Sequence, residues 1–333
     1  MSAALAGCHG RGAFPPSSGG LDTQRLDAEF PRLAERALPG AFRAGLLVLG
    51  TGKTWSSDLY ARCPMQSVFK APLAAAALAE VDAGRLKLAE RVRLTELDLS
   101  PPFSAIDQAW PTPPDHHAID MPAVDLIALA IQKSDNTAAD VIMKRIGGPG
   151  AVTAWLRSKS IADISIDRYE RDLQQEVSGM PPFQPAWKDE GAWIAARDAV
   201  PALAREAAMG AYLADPRDTA TVPATLDFLS RLSLGDLISP ASTRLLIRLM
   251  TATETGANRL KAGLPRGAFL AHKTGSARTD LGLTPATNDI GIATLEDGRR
   301  VAIAAYLAGA TATEAQRDRL FADTARLMMS ALR

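Results

Sequence analysis

The sequence has few cysteines and few aromatic residues. Among its 333 residues only Cys8 and Cys63 are cysteines, and 5% of the residues are aromatic. Two cysteines cannot form the disulfide framework that holds a small secreted domain together. The CxxC and HExxH patterns typical of zinc sites are absent as well, so no metal is expected.

A surplus of charge of either sign is also missing. Lysine and arginine together number 37, and so do aspartate and glutamate, which gives a formal net charge of zero. A protein that binds nucleic acid in general needs a basic surplus to displace counterions. We therefore expect no nucleic-acid partner.

Long apolar runs are the third absence. No stretch of about 18 consecutive apolar residues occurs, so no transmembrane segment is predicted. What the sequence does contain is ordinary for a globular protein, with 47% hydrophobic and 22% charged residues. A chain of 333 residues is long enough for one large domain or for two lobes that share a core.

The first 21 residues differ in composition from the rest of the chain. They are rich in alanine, glycine, proline and serine, which is typical of a tether. The stretch before Cys8 is too short for a complete signal peptide, but the LAGC sequence that ends at Cys8 resembles the end of a bacterial lipoprotein signal. In that interpretation residues 1–21 are a tether or signal remnant, Cys8 carries the lipid, and the start codon lies upstream of Met1. The alternative is a disordered cytosolic tail.

From residue 22 onward the apolar pattern is that of a folded domain. Helical spacing occurs at 26–38, 73–81, 122–133, 137–146, 224–234, 239–251 and 320–331. Strand-like runs occur at 44–49, 268–273, 289–295 and 300–308. Asp120 is a candidate N-cap for the helix at 122–133. Strands near both ends of the chain most simply join one antiparallel sheet, which leaves the helical middle as a second lobe.

Ser67 and Lys70 form an S-x-x-K motif where a helix is predicted to begin. At positions i and i+3 of a helix the hydroxyl and the amine lie on one face. A lysine there can act as a base for the serine if burial or nearby charge lowers the pKa of its ammonium. Taken alone, the motif is more typical of a solvent-facing lysine on an ordinary helix.

Two tripeptides further along the chain change that interpretation. Ser134-Asp135-Asn136 lies between two predicted helices, and Lys273-Thr274-Gly275 ends a predicted strand. Because the chain has only three asparagines, chance supplies an S-D-N on the order of a hundredth of a time. The three motifs in this order are the signature of class A β-lactamases and penicillin-binding proteins. The chain therefore resembles this superfamily of penicillin-interactive serine hydrolases.

A fourth motif separates the two branches of that superfamily. Residues 168–174, RYERDLQ, resemble the class A motif R-[WY]-E-x-x-L-N, and residues 215–221 resemble the segment that closes the same loop. In class A the glutamate of this motif, here Glu170, activates the water that deacylates the enzyme, and penicillin-binding proteins lack it. The resemblance covers roughly residues 25–333, and residues 65–70 and 271–275 look most like the PER- and VEB-like extended-spectrum branch of class A.

The resemblance implies an α+β fold with the active site in a cleft. An antiparallel sheet flanked by helices would be formed by residues 22–62 and 250–333. An all-helical lobe would span residues 63–249 and include an expanded active-site loop at 168–218. We expect one catalytic unit in total.

The resemblance also implies the catalytic residues. Ser67 would attack the β-lactam carbonyl, and either Lys70 or Glu170 through a water would take its proton. Ser134 would pass a proton to the leaving nitrogen, assisted by Lys273. Glu170-activated water would then hydrolyse the acyl-enzyme. No cofactor is implied.

The remaining implied residues bind substrate. The backbone N–H groups of Ser67 and Ser276 would form the oxyanion hole, and Asn136 would bind the substrate's side-chain amide. Thr274 and Ser276 would bind the substrate carboxylate beside Gly275, with Arg259 as its first-choice arginine partner and Arg278 as the second.

Two departures from the class A pattern concern the loop that carries Glu170. Gln174 stands where the class has an asparagine that helps hold the hydrolytic water. In addition, 43 residues separate Gln174 from Asp218, where members of the class have a much shorter connection. Within it, 198–213 has helical spacing, and the insertion would widen the site, form a lid or be a surface excursion. We expect Arg168 to pair with Asp218 at the base of the loop.

The leading hypothesis is a class A serine β-lactamase with a small-molecule β-lactam substrate, acting as a monomer. Such an enzyme would be exported to the periplasm, where a lipid on Cys8 would anchor it to the membrane. Two alternatives share the first three motifs. One is a D-alanyl-D-alanine peptidase or related amidohydrolase, and the other is a β-lactam sensor that acylates and deacylates poorly.

Overall fold

The computed structural model describes residues 20–110 and 118–333. The strands in these residues are β1 (Ala41–Val48), β2 (Thr54–Ser56), β3 (Cys63–Pro64), β4 (Arg91–Thr95), β5 (Ala118–Pro122), β6 (Thr219–Ala220), β7 (Phe269–Ser276), β8 (Thr284–Thr294) and β9 (Arg300–Ala310). Five of them form one antiparallel sheet in the order β2-β1-β9-β8-β7. The sheet therefore joins the two ends of the chain, as its sequence predicted.

The helices account for most of the middle of the chain. They are α1 (Thr23–Glu35), α2 (Lys70–Asp82), α3 (Ala105–Gln108), α4 (Ala123–Gln132), α5 (Asn136–Arg145), α6 (Pro149–Ser158), α7 (Glu170–Val177), α8 (Glu190–Asp198), α9 (Ala202–Ala214), α10 (Val222–Leu234), α11 (Pro240–Thr251), α12 (Leu260–Gly263) and α13 (Glu314–Ser330). Short 3₁₀-helices precede α2, follow β4 and precede α8, at Gln66–Phe69, Glu96–Asp98 and Pro185–Trp187. The fold is α+β, as expected.

The five-stranded sheet is buried on both faces. Alternate residues of a strand point to opposite faces, and β9 shows this division in full. One face packs with α1 and α13 through Val301, Ile303, Ala305 and Leu307. The other face packs with the helical layer through Ala302, Ala304 and Tyr306. Two separate hydrophobic clusters therefore hold the sheet in place, and its edge strand β7 faces the helical layer where the S-x-x-K motif lies.

Helix α2 is the central helix of that layer. It is rich in alanine and buried over most of its length, from Lys70 to Leu78, as expected for a helix that is apolar on all sides. Pro72 lies in the first turn, where a missing N–H does not cost a helical hydrogen bond. Because α2 is fixed by packing on all sides, Ser67 and Lys70 at its start have a fixed position.

Two expectations on local structure are corrected. Asp120 does not cap α4, because it lies in β5 opposite Arg93 of β4 in an antiparallel pair, and the helix begins after Pro122. The helix expected at 198–213 begins at Ala202, since Pro201 takes the N-cap position. The helix α8, which precedes it, was not predicted. The lobe boundaries given above remain predictions.

Three further predictions concern the two cysteines and the absence of a transmembrane segment. The LAGC sequence at Cys8 lies outside the described residues. Cys63 is buried, and burial raises the pKa of its thiol to about 12. Among the residues described, none of the helices has both the length and the apolar character needed to cross a membrane.

Candidate active site

Two buried side chains, Lys70 and Glu170, converge on the hydroxyl of Ser67. Ser67 Oγ donates to Glu170 Oε1 at 2.9 Å, and Lys70 Nζ donates to Ser67 Oγ at 3.0 Å. Lys70 Nζ also lies 3.1 Å from Glu170 Oε1, and both charged side chains are 0% exposed. The hydroxyl is thus in contact with two groups that can exchange protons with it.

Lys70 is held by residues of the S-D-N motif. Its Nζ donates to the carbonyl oxygen of Ser134 at 2.7 Å and to Asn136 Oδ1 at 2.6 Å. The Asn136 amide in turn donates to the Pro102 carbonyl at 2.6 Å. Ser134 has a φ of 60°, which is strained for a residue with a side chain. In this conformation Ser134 contacts both lysines of the site, Lys70 through its carbonyl oxygen and Lys273 through its hydroxyl.

The second lysine, Lys273, approaches from the sheet. Its Nζ donates to Ser134 Oγ at 2.9 Å and to the Thr274 carbonyl at 2.9 Å. Burial and the positive charge of Lys70 lower the pKa of Lys273 well below its ordinary value. A lysine in this state can exchange a proton with Ser134 more easily than a solvated one. Strand β7 thus completes a continuous row of contacts from Glu170 to Lys273.

The carboxylate of Glu170 is fully buried and has a donor on each oxygen. Gln174 Nε2 donates to Oε2 at 3.1 Å, opposite the Ser67 contact on Oε1. Burial by itself would raise the pKa of Glu170, but the charge of Lys70 and these hydrogen bonds hold it below its ordinary value. The carboxylate is therefore ionised near neutral pH, which a general base requires.

Two further carboxylates fix the loop that carries Glu170. Asp140 on α5 accepts hydrogen bonds from the backbone N–H groups of Glu170, at 2.7 Å, and Arg171, at 3.0 Å, at the start of α7. Asp218 accepts from Arg168 Nε at 2.6 Å. The expected Arg168–Asp218 pair is confirmed, and both of its side chains are 6% exposed. The loop is thus fixed at its start and at its base.

The end of strand β7 lies directly against the start of the nucleophile's helix. A Cβ on Gly275 would lie 2.6 Å from the Met65 carbonyl oxygen and 3.2 Å from the backbone nitrogen of Ser67. Only glycine fits this approach without displacing backbone. The contact brings Ser276 and Ser67 to the same edge of the cleft.

The two candidate arginines are placed differently. Arg259 Nη2 donates to Ser276 Oγ at 2.8 Å, and its Nε pairs with Asp318 at 3.0 Å. Arg278 instead pairs with Glu190 at 3.2 Å and lies over the ring of Phe103. Thr274 Oγ1 is 2.6 Å from Thr255 Oγ1. The structure therefore brings Arg259, and not Arg278, to the hydroxyl side of the K-T-G-S strand.

The inserted segment, residues 175–217, packs against the base of the loop and the β7–β8 connection. Its helix α9 contacts α7 through a small apolar cluster of Leu173, Val177, Met209 and Tyr212. Asp280 pairs with Arg205 at 3.0 Å and with Arg197 at 3.6 Å. Trp193 of α8 is 1% exposed. The insertion is therefore a packed part of the fold.

Four residues that sequence reasoning missed have contacts in or beside the site. They are Gln66, Asp140, Tyr212 and Asn288. Asn288 Nδ2 donates to the carbonyl oxygens of Pro64, at 2.9 Å, and Met65, at 2.8 Å. Asp140 follows Asn136 by one helical turn, a spacing that places both on one face of the helix. This spacing could have predicted that Asp140 lies near the site. Gln66 and Tyr212 gave no such signal.

Within residues 20–110 and 118–333 no group of three or more histidine, cysteine, aspartate and glutamate side chains has the geometry to hold a metal ion. His272, within strand β7, pairs with Asp289 of β8 at 2.9 Å. Among the contacts of the described residues, the hydroxyl of Ser67 has Glu170 and Lys70 as side-chain partners, and not this histidine.

The chain is similar to known proteins over most of its length. The Beta-lactamase enzyme family matches residues 25–332. Beta-lactamase VEB-1 of Pseudomonas aeruginosa is 28% identical over 266 residues, or 79% of this chain and 76% of VEB-1. Extended-spectrum beta-lactamase PER-1, also of Pseudomonas aeruginosa, is 26% identical over 268 residues, or 80% of this chain and 74% of PER-1.

Solved structures give the same result. An ancestral class A β-lactamase, representing the last common ancestor of Gram-negative bacteria, superimposes with a TM-score of 0.73 at 31% identity. The alignment covers 92% of this chain and 99% of the ancestral one. The likeness to the PER- and VEB-like branch of class A that the motifs indicated is confirmed by these comparisons.

Proposed function

The chain belongs to the Beta-lactamase enzyme family and is a class A β-lactamase, and we propose that it opens its substrate through an acyl-Ser67 intermediate. Water activated by Glu170 would then release the product. The observation that carries this proposal is the position of Ser67 Oγ, 2.9 Å from Glu170 Oε1 and 3.0 Å from Lys70 Nζ. A serine in contact with a carboxylate and an amine is an activated nucleophile.

In the acylation step Ser67 Oγ attacks the lactam carbonyl carbon and loses its proton. The direct contact with Glu170 Oε1 favours Glu170 as the base, without a bridging water, because the hydroxyl already donates to that oxygen. Lys70 donates to the same hydroxyl and so stabilises the negative charge that develops on Oγ. The backbone N–H groups of Ser67 and Ser276 receive the carbonyl oxygen.

Ring opening requires a proton on the lactam nitrogen. Ser134 is the donor in this proposal, since its hydroxyl lies at the end of the row of contacts and is 2.9 Å from Lys273 Nζ. Lys273 replaces the proton that Ser134 gives up, which the lowered pKa of this buried lysine favours. The C–N bond of the lactam breaks as the nitrogen takes this proton. The nitrogen becomes an amine on the opened substrate, and the ester on Ser67 remains.

Substrate binding follows from groups at the two sides of the cleft. Thr274 and Ser276 offer hydroxyls to the substrate carboxylate, and the charge of Arg259 reinforces Ser276 through their contact at 2.8 Å. Asn136 has an amide beside Lys70 for the substrate's side-chain amide. The two lysines add positive charge that attracts an anionic substrate.

Deacylation depends on Glu170 and Gln174. Before deacylation the proton that Glu170 took from Ser67 passes to solvent, which the lowered pKa of Glu170 favours, and Lys273 regains a proton from solvent. An esterified Ser67 has no proton to donate, so the ionised Glu170 Oε1 is then available to accept from a water. As the ester bond breaks, Glu170 returns that proton to Ser67 Oγ. Gln174, which contacts Oε2, orients the carboxylate and provides an amide oxygen for the same water. The longer side chain that stands in place of asparagine is thus compatible with hydrolysis.

We also propose that the protein works outside the cytoplasm, tethered by a lipid on Cys8. This proposal rests on the LAGC sequence and on the location of the targets of β-lactams. Its test is expression from the gene with its upstream sequence, followed by membrane fractionation of the wild type and of Cys8→Ser. Release of the variant into the soluble fraction supports the anchor, and an identical distribution contradicts it.

The experiment that tests the enzymatic proposal is a progress curve with a chromogenic cephalosporin in excess over enzyme, with a chelator present. We expect sustained turnover. A burst equal to the enzyme concentration followed by no turnover would identify an acylated penicillin-binding or sensing protein. No burst, together with cleavage of D-alanyl-D-alanine peptides, would identify a peptidase.

A further inference from the structure

Four buried side chains form a hydrogen-bonded row from the inserted helix α9 to the carboxylate of Glu170. Gln174 Nε2 donates to Glu170 Oε2 at 3.1 Å and to Gln66 Oε1 at 3.1 Å. Gln66 Nε2 donates to the Tyr212 hydroxyl at 2.7 Å. All four side chains are between 0% and 5% exposed. We call Tyr212, Gln66, Gln174 and Glu170 the Tyr212 row.

The donors and acceptors of the Tyr212 row permit only one orientation while Glu170 is ionised. A carboxylate only accepts, so Gln174 must present its NH₂ group to it. The same NH₂ group also faces Gln66, which must then present its carbonyl oxygen. The NH₂ group of Gln66 is left facing Tyr212, which must accept. Each amide orientation therefore depends on the next residue in the row.

The first two residues of the row are fixed in position. Tyr212 belongs to the apolar cluster in which α9 packs against α7, so its ring position is fixed by Met209, Val177 and Leu173. Gln66, the next residue in the row, directly precedes Ser67 and has a φ of 45°, a strained backbone conformation. Without an acceptor at Tyr212, Gln66 would have a buried NH₂ group with no partner, which costs free energy.

We propose that Tyr212 is a positioning residue for deacylation, acting through Gln66 to hold Gln174 in the orientation in which its amide contacts Glu170. This inference rests on the proposed function, since it concerns the hydrolysis of an acyl-Ser67. In the acyl-enzyme the Ser67 donor is lost, and Lys70 and Gln174 remain on the carboxylate. The inserted segment thereby has a task in the reaction besides packing.

Tyr212→Phe is the variant that tests the proposal, because it keeps the ring and removes the acceptor. Loss of one buried hydrogen bond is worth about a fivefold change in rate. We expect the acyl-enzyme to decay about five times more slowly than in the wild type, measured by acid quench and intact mass. The rate of acylation in a stopped-flow burst should change less than twofold, because Ser67, Lys70 and Glu170 keep their mutual contacts. Tyr60→Phe, at an 85% exposed tyrosine, is the matched control and should change neither rate.

A second variant separates positioning from general damage. In Gln174→Ala the amide that Tyr212 positions is gone, so adding Tyr212→Phe should not slow deacylation further. Equal slowing of acylation and deacylation by Tyr212→Phe, an additive loss in the double variant, or unchanged deacylation would each overturn the proposal. If the wild type itself shows no turnover of β-lactam, the proposed function fails instead, and that outcome is visible before any variant is made.

Discussion

The buried catalytic cluster and the exposed ion pairs of the inserted segment use the same kinds of charged group in different ways. Lys70 and Glu170 are both 0% exposed and 3.1 Å apart, and each has further partners. In the insertion, Lys188 pairs with Glu96 at 2.7 Å, but these side chains are 38% and 28% exposed. Buried charges are tolerated only when they are paired and hydrogen-bonded, whereas exposed pairs contribute little.

This difference in burial indicates in which region a substitution affects function most. In the cluster Lys70 and Glu170 each have several defined partners, so removing one partner leaves another polar group buried and less satisfied. In the insertion water replaces a lost partner. Substitutions in the two regions should therefore differ in effect by orders of magnitude, and the predictions below test this from the largest effect to the smallest.

The largest effect is expected for Ser67→Ala. This change removes the oxygen that attacks the lactam in the proposed mechanism, so β-lactam hydrolysis should fall by a factor on the order of 10⁴ or more. The measurement is kcat/KM with a chromogenic cephalosporin. Ser330→Ala, at the exposed end of α13, is the control and should keep the wild-type rate. Retained hydrolysis in Ser67→Ala would show that the nucleophile has been misassigned.

The next effect is on stability, at the base of the loop. Arg168→Met leaves the buried Asp218 without its partner, and breaking a buried ion pair costs about 3–5 kcal/mol. Arg217 pairs with Asp215 and Glu176 as Arg168 does, but its side chain is 49% exposed. Arg217→Met should therefore cost at most about 1 kcal/mol. Urea denaturation monitored by circular dichroism measures both; equal losses would contradict the account.

The pH profile should follow the two buried groups of the cluster. The pKa of Glu170 lies below its ordinary value of 4.5, and the base must be ionised, so kcat should fall only when the pH drops below about 4.5. The pKa of Lys273 is also lowered, so the alkaline limb should lie below that of an ordinary lysine. Gln174→Ala removes a hydrogen bond to the carboxylate and should move the acid limb upward. An acid limb above that of an ordinary glutamate in the wild type would contradict this assignment.

The smallest effect is expected in the insertion itself. Glu190 accepts from Arg278 at 3.2 Å, and both side chains are 32% exposed. Glu190→Gln should change kcat/KM less than about twofold and stability by less than about 1 kcal/mol. Steady-state kinetics and thermal melting measure these quantities. A large change in KM would mean that this pair controls entry of the substrate to the cleft. The exposed pairs of the insertion would then not be of little consequence, contrary to what is expected here.

Much of the site could be predicted because short motifs place their residues by local geometry. An i, i+3 spacing places Ser67 beside Lys70, and a strand end carries Lys273, Thr274 and Gly275 to the cleft. The Arg168–Asp218 pair followed from the family resemblance. These predictions need no knowledge of how distant segments pack.

The rest depends on contacts between distant segments. Gln66 and Tyr212 are 146 positions apart and meet only because α9 packs on α7 and Gln66 takes a positive φ. Nothing local predicts either feature. The sequence ranked Arg259 above Arg278, but the placement of both depends on distant partners. Asp318 of α13 holds Arg259 beside Ser276, whereas Arg278 pairs with Glu190 of α8. Asp120 was misassigned because the pairing of its strand with the distant strand that carries Arg93 overrode its capping tendency.

In the proposed mechanism, hydrolysis passes through an ester on Ser67 that only water activated by Glu170 hydrolyses efficiently. Intact-mass analysis of Glu170→Ala after incubation with a penicillin tests it most directly, with Glu170→Ala/Ser67→Ala as the control. A covalent adduct equal to the mass of the whole penicillin is expected on Glu170→Ala, formed more slowly than on the wild type because the base of acylation is also lost, and none is expected on the double variant. Unmodified Glu170→Ala that still turns over the penicillin at the wild-type rate would contradict the proposed mechanism.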